Sequence, residues 1–294
     1  MAKLSRPRRG SLGFSPRKRA RKPYASVSAW PENEETKLLG FAGYKAGMTQ
    51  VFAIDRQKTS PSFNQEIAVP VTVLECPPLK AKEVRAYEET NQGLKLIPKT
   101  KLEEKKENIE EVRLLVETEP PHKKKTESFE LAVGGRPEEA LKYAKTILNK
   151  KVKISEVFKE GDYVDVIGIT KGKGIQGVVK RWGAKIQGRK AKGKRRHVGA
   201  INPWKPARVM WTSLQAGQMG YHRRTSLNSR VMKMGENGKE VTKKSGIPSY
   251  GIVKSDYVLL KGSVPGTKKR LIIVRLSIRK PKEREFPEVK EVAL

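Results

Sequence analysis

The 294-residue chain carries 63 Lys plus Arg against 31 Asp plus Glu, a formal charge of +32, with 36% hydrophobic residues and one cysteine. That apolar content fills a core and excludes wholesale disorder, while the charge makes an isolated chain repel itself unless a polyanion neutralises it. No apolar run approaches the roughly 20 residues that cross a bilayer, and the basic start lacks the apolar centre of a secretory signal, so no membrane partner is expected and the cytosol is the expected compartment.

Residues 1–30 hold nine basic residues and no acid, with Pro7, Gly10, Gly13, Pro16 and Pro23 between them. This reads as a basic arm, extending to residue 36, with no fold of its own and ordered only by a partner. Leu38–Tyr44 and Met48–Ile54 read as two strands joined tightly at Lys45-Ala46-Gly47, and Ile67–Cys76 as a third, so residues 37–80 begin a β-barrel or meander. Cys76, without a C-x-x-C companion, reads as a small buried apolar residue.

Residues 81–150 contain fifteen basic and fourteen acidic residues, a balance suited to water or protein. Val112–Val116 and Phe129–Val133 read as strands flanking the basic turn His122–Lys125. Pro137-Glu138-Glu139 suits a helix start, with proline in the first turn and acids at the positive dipole end. Ala140, Leu141, Ala144, Ile147 and Leu148 then make an apolar stripe at helical spacing. A small α+β insertion is the expectation. Tyr163–Ile169, Tyr257–Leu260 and Leu271–Leu276 supply further strands, so the β core continues in residues 151–180 and 211–294 and is assembled from both sides of the interruption.

From Val166 to Gly235 the chain runs 70 residues without an Asp or Glu and carries seventeen Lys or Arg, interleaved with Trp182, Trp204, Trp211 and Tyr221. Surface charges of both signs usually mix; a one-sign block with aromatics combines phosphate neutralisation with stacking surfaces. The expected RNA contacts in the arm are Arg6, Arg8, Arg9, Arg17, Lys18, Arg19, Arg21 and Lys22. In the block they begin with Lys171, Lys173, Lys180, Arg181, Trp182 and Lys185. They continue through Arg189, Lys190, Lys192, Lys194, Arg195, Arg196 and His197, then Trp204, Lys205 and Arg208, then His222, Arg223 and Arg224, with Lys45 and Lys261 in the β core. Residues 181–210 are expected to form an extension that enters RNA, because Arg189–Arg196 offers too little apolar material to fold alone.

Gly172-Lys173-Gly174-Ile175-Gln176-Gly177 matches the dinucleotide fingerprint, but no apolar helix and no ribose-binding acid follow; the next acid is Glu236. The glycines instead let backbone amides approach phosphate oxygens. His122, His197 and His222 have no partners at metal-ligand spacing, and the last two lie among arginines, where a catalytic triad lacks its acid. Neither a small-molecule substrate nor a cofactor is expected; magnesium ions held through RNA are compatible with the charge. Trp204, between Pro203 and Pro206, suits a stiff tip inserted among bases, whereas Trp211 in Val209-Met210-Trp211 reads as core.

These residues resemble a known family, the archaeal and eukaryotic branch of the universal large-subunit ribosomal protein L-three. The resemblance rests on Phe158, Asp165, Gly168, Thr170, Gly172, Lys173, Gly174, Gly177 and Arg181, and on the stretches Gly43–Phe52, Gly217–Thr225 and Lys261–Gly266. It implies a mainly β fold: a translation-protein-type β-barrel with an α+β insertion, an extended basic N-terminal arm and a long central extension. It also implies binding to large-subunit (23S-type) rRNA near its 3′ end, nucleation of subunit assembly, an extension tip around Trp204 directed toward the peptidyl transferase centre, and neighbours such as ribosomal proteins L-fourteen and L-twenty-four-e. Lys192 stands where eukaryotic members carry a modifiable histidine, and the modifiable glutamine of bacterial members has no counterpart, so no such modification is expected. The insertion argues against a bacterial origin. A chromatin-like DNA binder shares the charge but calls for duplex readout by a compact fold; an RNA-modifying enzyme calls for a pocket with perturbed acids, which an acid-free block does not supply.

Overall fold

The structure, a computed structural model, describes residues 7–98, 108–191, 193–282 and 285–293. Two of the expected RNA contacts, Arg6 and Lys192, lie outside the described residues. In chain order the strands and helices are β1 (Gly40–Ile54), β2 (Glu66–Glu75), β3 (Leu79–Thr90), β4 (Gly93–Leu96), β5 (Glu111–Thr118), β6 (Glu127–Ala132), α1 (Pro137–Ile147), β7 (Lys151–Val152) and β8 (Tyr163–Ile169). They continue with β9 (Ile175–Gln176), α2 (Val178–Trp182), β10 (Gly217–Gln218), β11 (Arg223–Gly235), β12 (Tyr257–Lys261), β13 (Leu271–Leu276) and β14 (Glu288–Val292). The chain divides into two compact units, one of Met1–Arg21 with Thr170–Arg223, the other of Lys22–Ile169 with Arg224–Leu294. Lys22 onward, read above as arm, thus belongs to the larger unit, where Ala25 and Val27 are buried.

A seven-stranded sheet in the order β13-β8-β11-β12-β2-β1-β14 contains the expected strands of both halves of the chain. Because β1 also pairs with β13, the run of neighbours from β1 through β2, β12, β11 and β8 to β13 returns to its start. The expected tight turn at Lys45-Ala46-Gly47 is instead a bulge within one 15-residue strand. No polar turn chemistry is available there, Ala46 is fully buried, and the Lys45 carbonyl accepts from the Lys269 amide at 2.8 Å, which carries the strand onward. A bulge bends and twists its strand, and β1 changes partner across it: Gly40–Tyr44 pair with β13, Val51–Ile54 with β14. Gly47 fits the bend because a Cβ there would lie 2.8 Å from Ile247.

Val51, Val69, Val71, Val73, Met232, Tyr257 and Leu259 form one buried apolar cluster beneath this sheet. Sequence reading missed β11 and β14, where RRTSLNSRVMKMG and EVKEV are dominated by charged and polar residues, and β3 of the insertion, LKAKEVRAYEET, for the same reason. The insertion forms a second sheet, β4-β3-β5-β6, with β7 on β3. Its helix begins at Pro137 as expected, with Glu138 and Glu139 in the first turn, and buries Ala140, Leu141 and Ala144; Ile147 and Leu148 remain half-buried. Leu141 contributes about 1.5–3 kcal/mol by that burial.

Several buried polar groups of this unit have partners, although both ring nitrogens of His122, the Thr118 hydroxyl and the Trp30 indole nitrogen have no hydrogen-bond partner among the described residues. The Tyr44 hydroxyl donates to Glu127 at 3.1 Å, and Glu127 also accepts from Lys123 at 2.6 Å. His122 packs edge-on against Tyr44, ring centroids 5.1 Å apart, and burial followed by the nearby Lys123 charge lowers its pKa. Cys76 is buried as expected, and burial raises its thiol pKa out of the reactive range. Asp165 on β8 is fully buried: it accepts from Arg275 on β13 at 3.0 and 3.3 Å and from the Asn228 amide at 3.0 Å. Removing one member of such a pair strands a buried charge, at a cost of about 3–5 kcal/mol. Asp165→Ala is therefore expected to lower unfolding stability by about that amount, with Asp165→Asn in between; urea denaturation giving a loss below about 1 kcal/mol for Asp165→Ala would remove the pair from any role in holding β8 to β13.

Candidate nucleic-acid interface

The smaller unit unites the two acid-free parts of the sequence. Met1–Arg21 and Thr170–Arg223 together hold twenty-two Lys or Arg and no Asp or Glu. A short stem organises it: β9 pairs with β10, the Lys173 amide donates to Met219 at 2.9 Å, and the Met219 amide donates to Gly174 at 2.9 Å. The Lys173 amide is thereby already bonded within the stem. Gly220 is required at the stem's base, with φ +72° and room for no Cβ, which would lie 2.1 Å from the Lys171 carbonyl oxygen. The glycine-rich run leads into α2, five residues closed by Gly183 at φ 68°, and not into the long helix of a dinucleotide fold.

Trp182 at the end of α2 is the anchor for the arm. Its indole Nε1 donates to the Gln215 carbonyl at 2.8 Å, the Arg17 guanidinium lies 4.0 Å over its ring, and a Cβ on Gly10 would meet the ring at 2.6 Å. Arg8 and Arg181 approach the same ring at 5.7 and 5.1 Å. Arg181 donates to the carbonyls of Gln218 (3.1 Å) and Gln215 (2.8 Å), and Arg8 to that of Thr212 (2.6 Å). Further along, the Ala20 amide donates to Tyr221 at 2.9 Å, His222 Nδ1 lies 2.9 Å from the Lys18 carbonyl, and Arg19 sits 5.0 Å from the Tyr221 ring. The cations are held by carbonyl oxygens and aromatic faces. Burial, then the charge of Arg17, lowers the Arg181 pKa, as expected where two guanidinium groups share a site with no carboxylate.

Beyond the stem, the described residues between Gly183 and Ala216 form no helix or strand. The Gln187 amide donates to Arg195 at 2.9 Å and ties off a loop bearing Arg189, Lys190, Lys194 and Arg195; these, with Lys185, Arg196 and His197, are exposed. Trp204 is 89% exposed, with Lys205 and Arg208 exposed beside it. Trp211 is 71% exposed, against the expectation of a core residue; Val209 and Met210 are exposed too, because no folded element of the excursion encloses them. Arg9, Lys18, Arg19, Arg21, Lys171, Lys173, Lys180 and Arg223 are exposed on this unit, and Arg17, Arg181, Trp182 and His222 are partly buried in it.

Four expected contacts fall in the larger unit. Lys22 and Lys261 are exposed and Arg224 half-buried. Lys45, also there, turns inward, donating to the Val264 carbonyl at 2.7 Å, and burial, then Lys268, lowers its pKa. The residue that sequence reading missed is Gln215, whose carbonyl collects two donors; no side-chain signal could reveal a backbone acceptor. Among the described residues no group of three or more His, Cys, Asp or Glu is placed to hold a metal ion, and no helix is long and apolar enough to cross a membrane.

The fold and this unit define a mainly β protein with an acid-free cationic surface interleaved with aromatics, the kind that meets a polyanion. The sequence matches the family described as Ribosomal protein L3 over residues 1–115 and 96–293, and the chain belongs to that family. Similar proteins include the "Large ribosomal subunit protein uL3" of Methanothermobacter thermautotrophicus, 44% identical over 100% of this chain and 98% of its own length. Proteins of the same name from Methanocaldococcus jannaschii and Archaeoglobus fulgidus are each 46% identical, covering 94% and 95% of this chain and 92% and 94% of their own lengths.

Gly220→Ala is expected to expose the 183–216 region and the arm to limited proteolysis while the larger unit unfolds at an unchanged urea midpoint; equal protease patterns for the variant and the parent would mean the stem tolerates a side chain at this position.

Proposed function

We propose that this protein is a non-enzymatic structural constituent of the large ribosomal subunit, residing in the cytoplasm as part of the ribosome. The observation that carries the reading is the union of two acid-free segments, far apart in sequence, into one unit of twenty-two cations. Its relatives' names point to the same assembly. In this reading the larger unit is a translation-protein-type barrel with its insertion, left at the subunit surface. The arm and the 181–210 extension enter large-subunit rRNA near its 3′ end and nucleate assembly, with Trp204 at a tip directed toward the peptidyl transferase centre.

Lys and Arg offset phosphate repulsion so that RNA segments pack together, and exposed aromatics supply stacking faces. Magnesium would enter only through the rRNA. Ribosomal proteins L-fourteen and L-twenty-four-e are the proposed protein neighbours. Against duplex DNA as the partner stands the long exposed excursion from Gly183 to Ala216, which offers no recognition helix or ribbon for a groove among its described residues.

Affinity-tagged protein recovered from cells at moderate salt is expected to cosediment with large subunits and to carry large-subunit rRNA; recovery with genomic DNA, or as a free monomer, would overturn the reading. Replacing Arg189, Arg195 and Arg196 by alanine removes up to three phosphate contacts. The slope of log affinity for rRNA against log salt is then expected to become shallower by roughly 2–3. An unchanged slope would take these side chains off the phosphate backbone.

A further inference from the structure

The smaller unit contains a cavity of about 590 Å3 whose lining includes Arg17, Arg181 and Trp182 together with Val209, Met210 and Trp211. We propose that this cavity is a nucleotide-binding site that takes one unpaired RNA nucleotide, its base stacked on Trp211 and its phosphate facing Arg17 and Arg181. The inference rests on the proposed RNA-binding function and narrows it to a single pocket, distinct from the Trp204 tip.

Three independent features point to that occupant. Trp211 is largely exposed beside the exposed Val209 and Met210, which together give the cavity lining an apolar part. Its volume falls within the roughly 300–1,000 Å3 of small-ligand sites. Arg17 and Arg181 bring two positive charges to the same lining in a unit without any Asp or Glu, so an anion entering there meets attraction and no carboxylate of that unit.

The walls are also held in place before anything binds. Arg17 rests on the Trp182 face at 4.0 Å, while Arg181 and the Trp182 indole are both fixed by the Gln215 carbonyl at 2.8 Å. A flat base entering the cavity would find an exposed aromatic ring in Trp211 and guanidinium groups in the same lining, and bases stack on both aromatic rings and Arg planes. An apolar protein segment would cover Trp211 but would bring no charge to offset those of Arg17 and Arg181 in the same lining, which disfavours a protein occupant.

The test uses the full chain freed of RNA, at moderate salt, with two fluorescent oligomers of equal length: a single-stranded oligoribonucleotide and an abasic ribose-phosphate oligomer. Stacking on one aromatic side chain is worth a factor of roughly ten in affinity. Trp211→Ala is expected to weaken the base-bearing oligomer by that factor and leave the abasic one unchanged, with Trp211→Phe staying close to the parent. Photocrosslinking of the unmodified protein with 4-thiouridine RNA is expected to label the peptide containing Val209–Trp211, which tests the site without any substitution. Equal weakening of both oligomers by Trp211→Ala, no weakening of either, or crosslinks confined to lysine-rich peptides elsewhere would overturn the proposal. Cosedimentation of Trp211→Ala with large subunits reports separately on the ribosomal assignment: its persistence alongside lost base preference supports the pocket, and a parent protein that prefers bases but never enters subunits would sink the assignment while sparing the pocket.

Discussion

Cations without carboxylates are the constraint on which the rest of this protein depends. In most folded domains a guanidinium finds a carboxylate, and the pair neutralises itself. In the smaller unit that solution is unavailable, because its two segments contain no acid at all. Arg8, Arg17 and Arg181 donate instead to backbone carbonyls, and the Trp182 and Tyr221 rings take the faces of arginines. Carbonyl dipoles and ring quadrupoles fix the geometry of a cation but carry no net charge, so the positive field survives the folding of the unit. A surface held this way is ordered and still unneutralised, which is what a phosphate backbone requires of a protein that must sit in one register.

The larger unit also uses carboxylates to hold its cations. Several of its buried charges have ionic partners: Asp165 with Arg275, Arg113 with Glu111, and Glu127 with Lys123. Its insertion mixes both signs along the strands, as a surface facing water or protein does. The contrast between the units fits the proposed function. One must reach a stable fold by itself, around an apolar cluster and a strand order that returns to its start; the other must keep its charge for a partner.

The bulge at Ala46 shows how a local feature serves the larger plan. One strand of 15 residues covers two different partners along one edge because an extra residue bends it midway. Sequence reading sees a break in the strand pattern and infers a turn. The break is real, but the chain continues through it, since Lys45 keeps backbone bonds to Arg270 and Lys269 on the adjoining segment.

Period-two patterns and β-branched runs were enough to find β2, β5, β8, β12 and β13 and to place α1 from its proline and its apolar stripe, because those signals arise from neighbours in sequence and burial on one face. Charge distribution likewise exposed the arm and the acid-free block, since the lack of an acid is visible residue by residue. Tertiary structure alone decided that Arg17 stacks on Trp182, that Gln215 offers its carbonyl to two donors, and that Trp211 stands in the open while a neighbouring apolar pair fails to shelter it. The physical reason is range: backbone acceptors carry no side-chain signature, and contacts between positions more than a hundred residues apart leave no periodic trace in either segment.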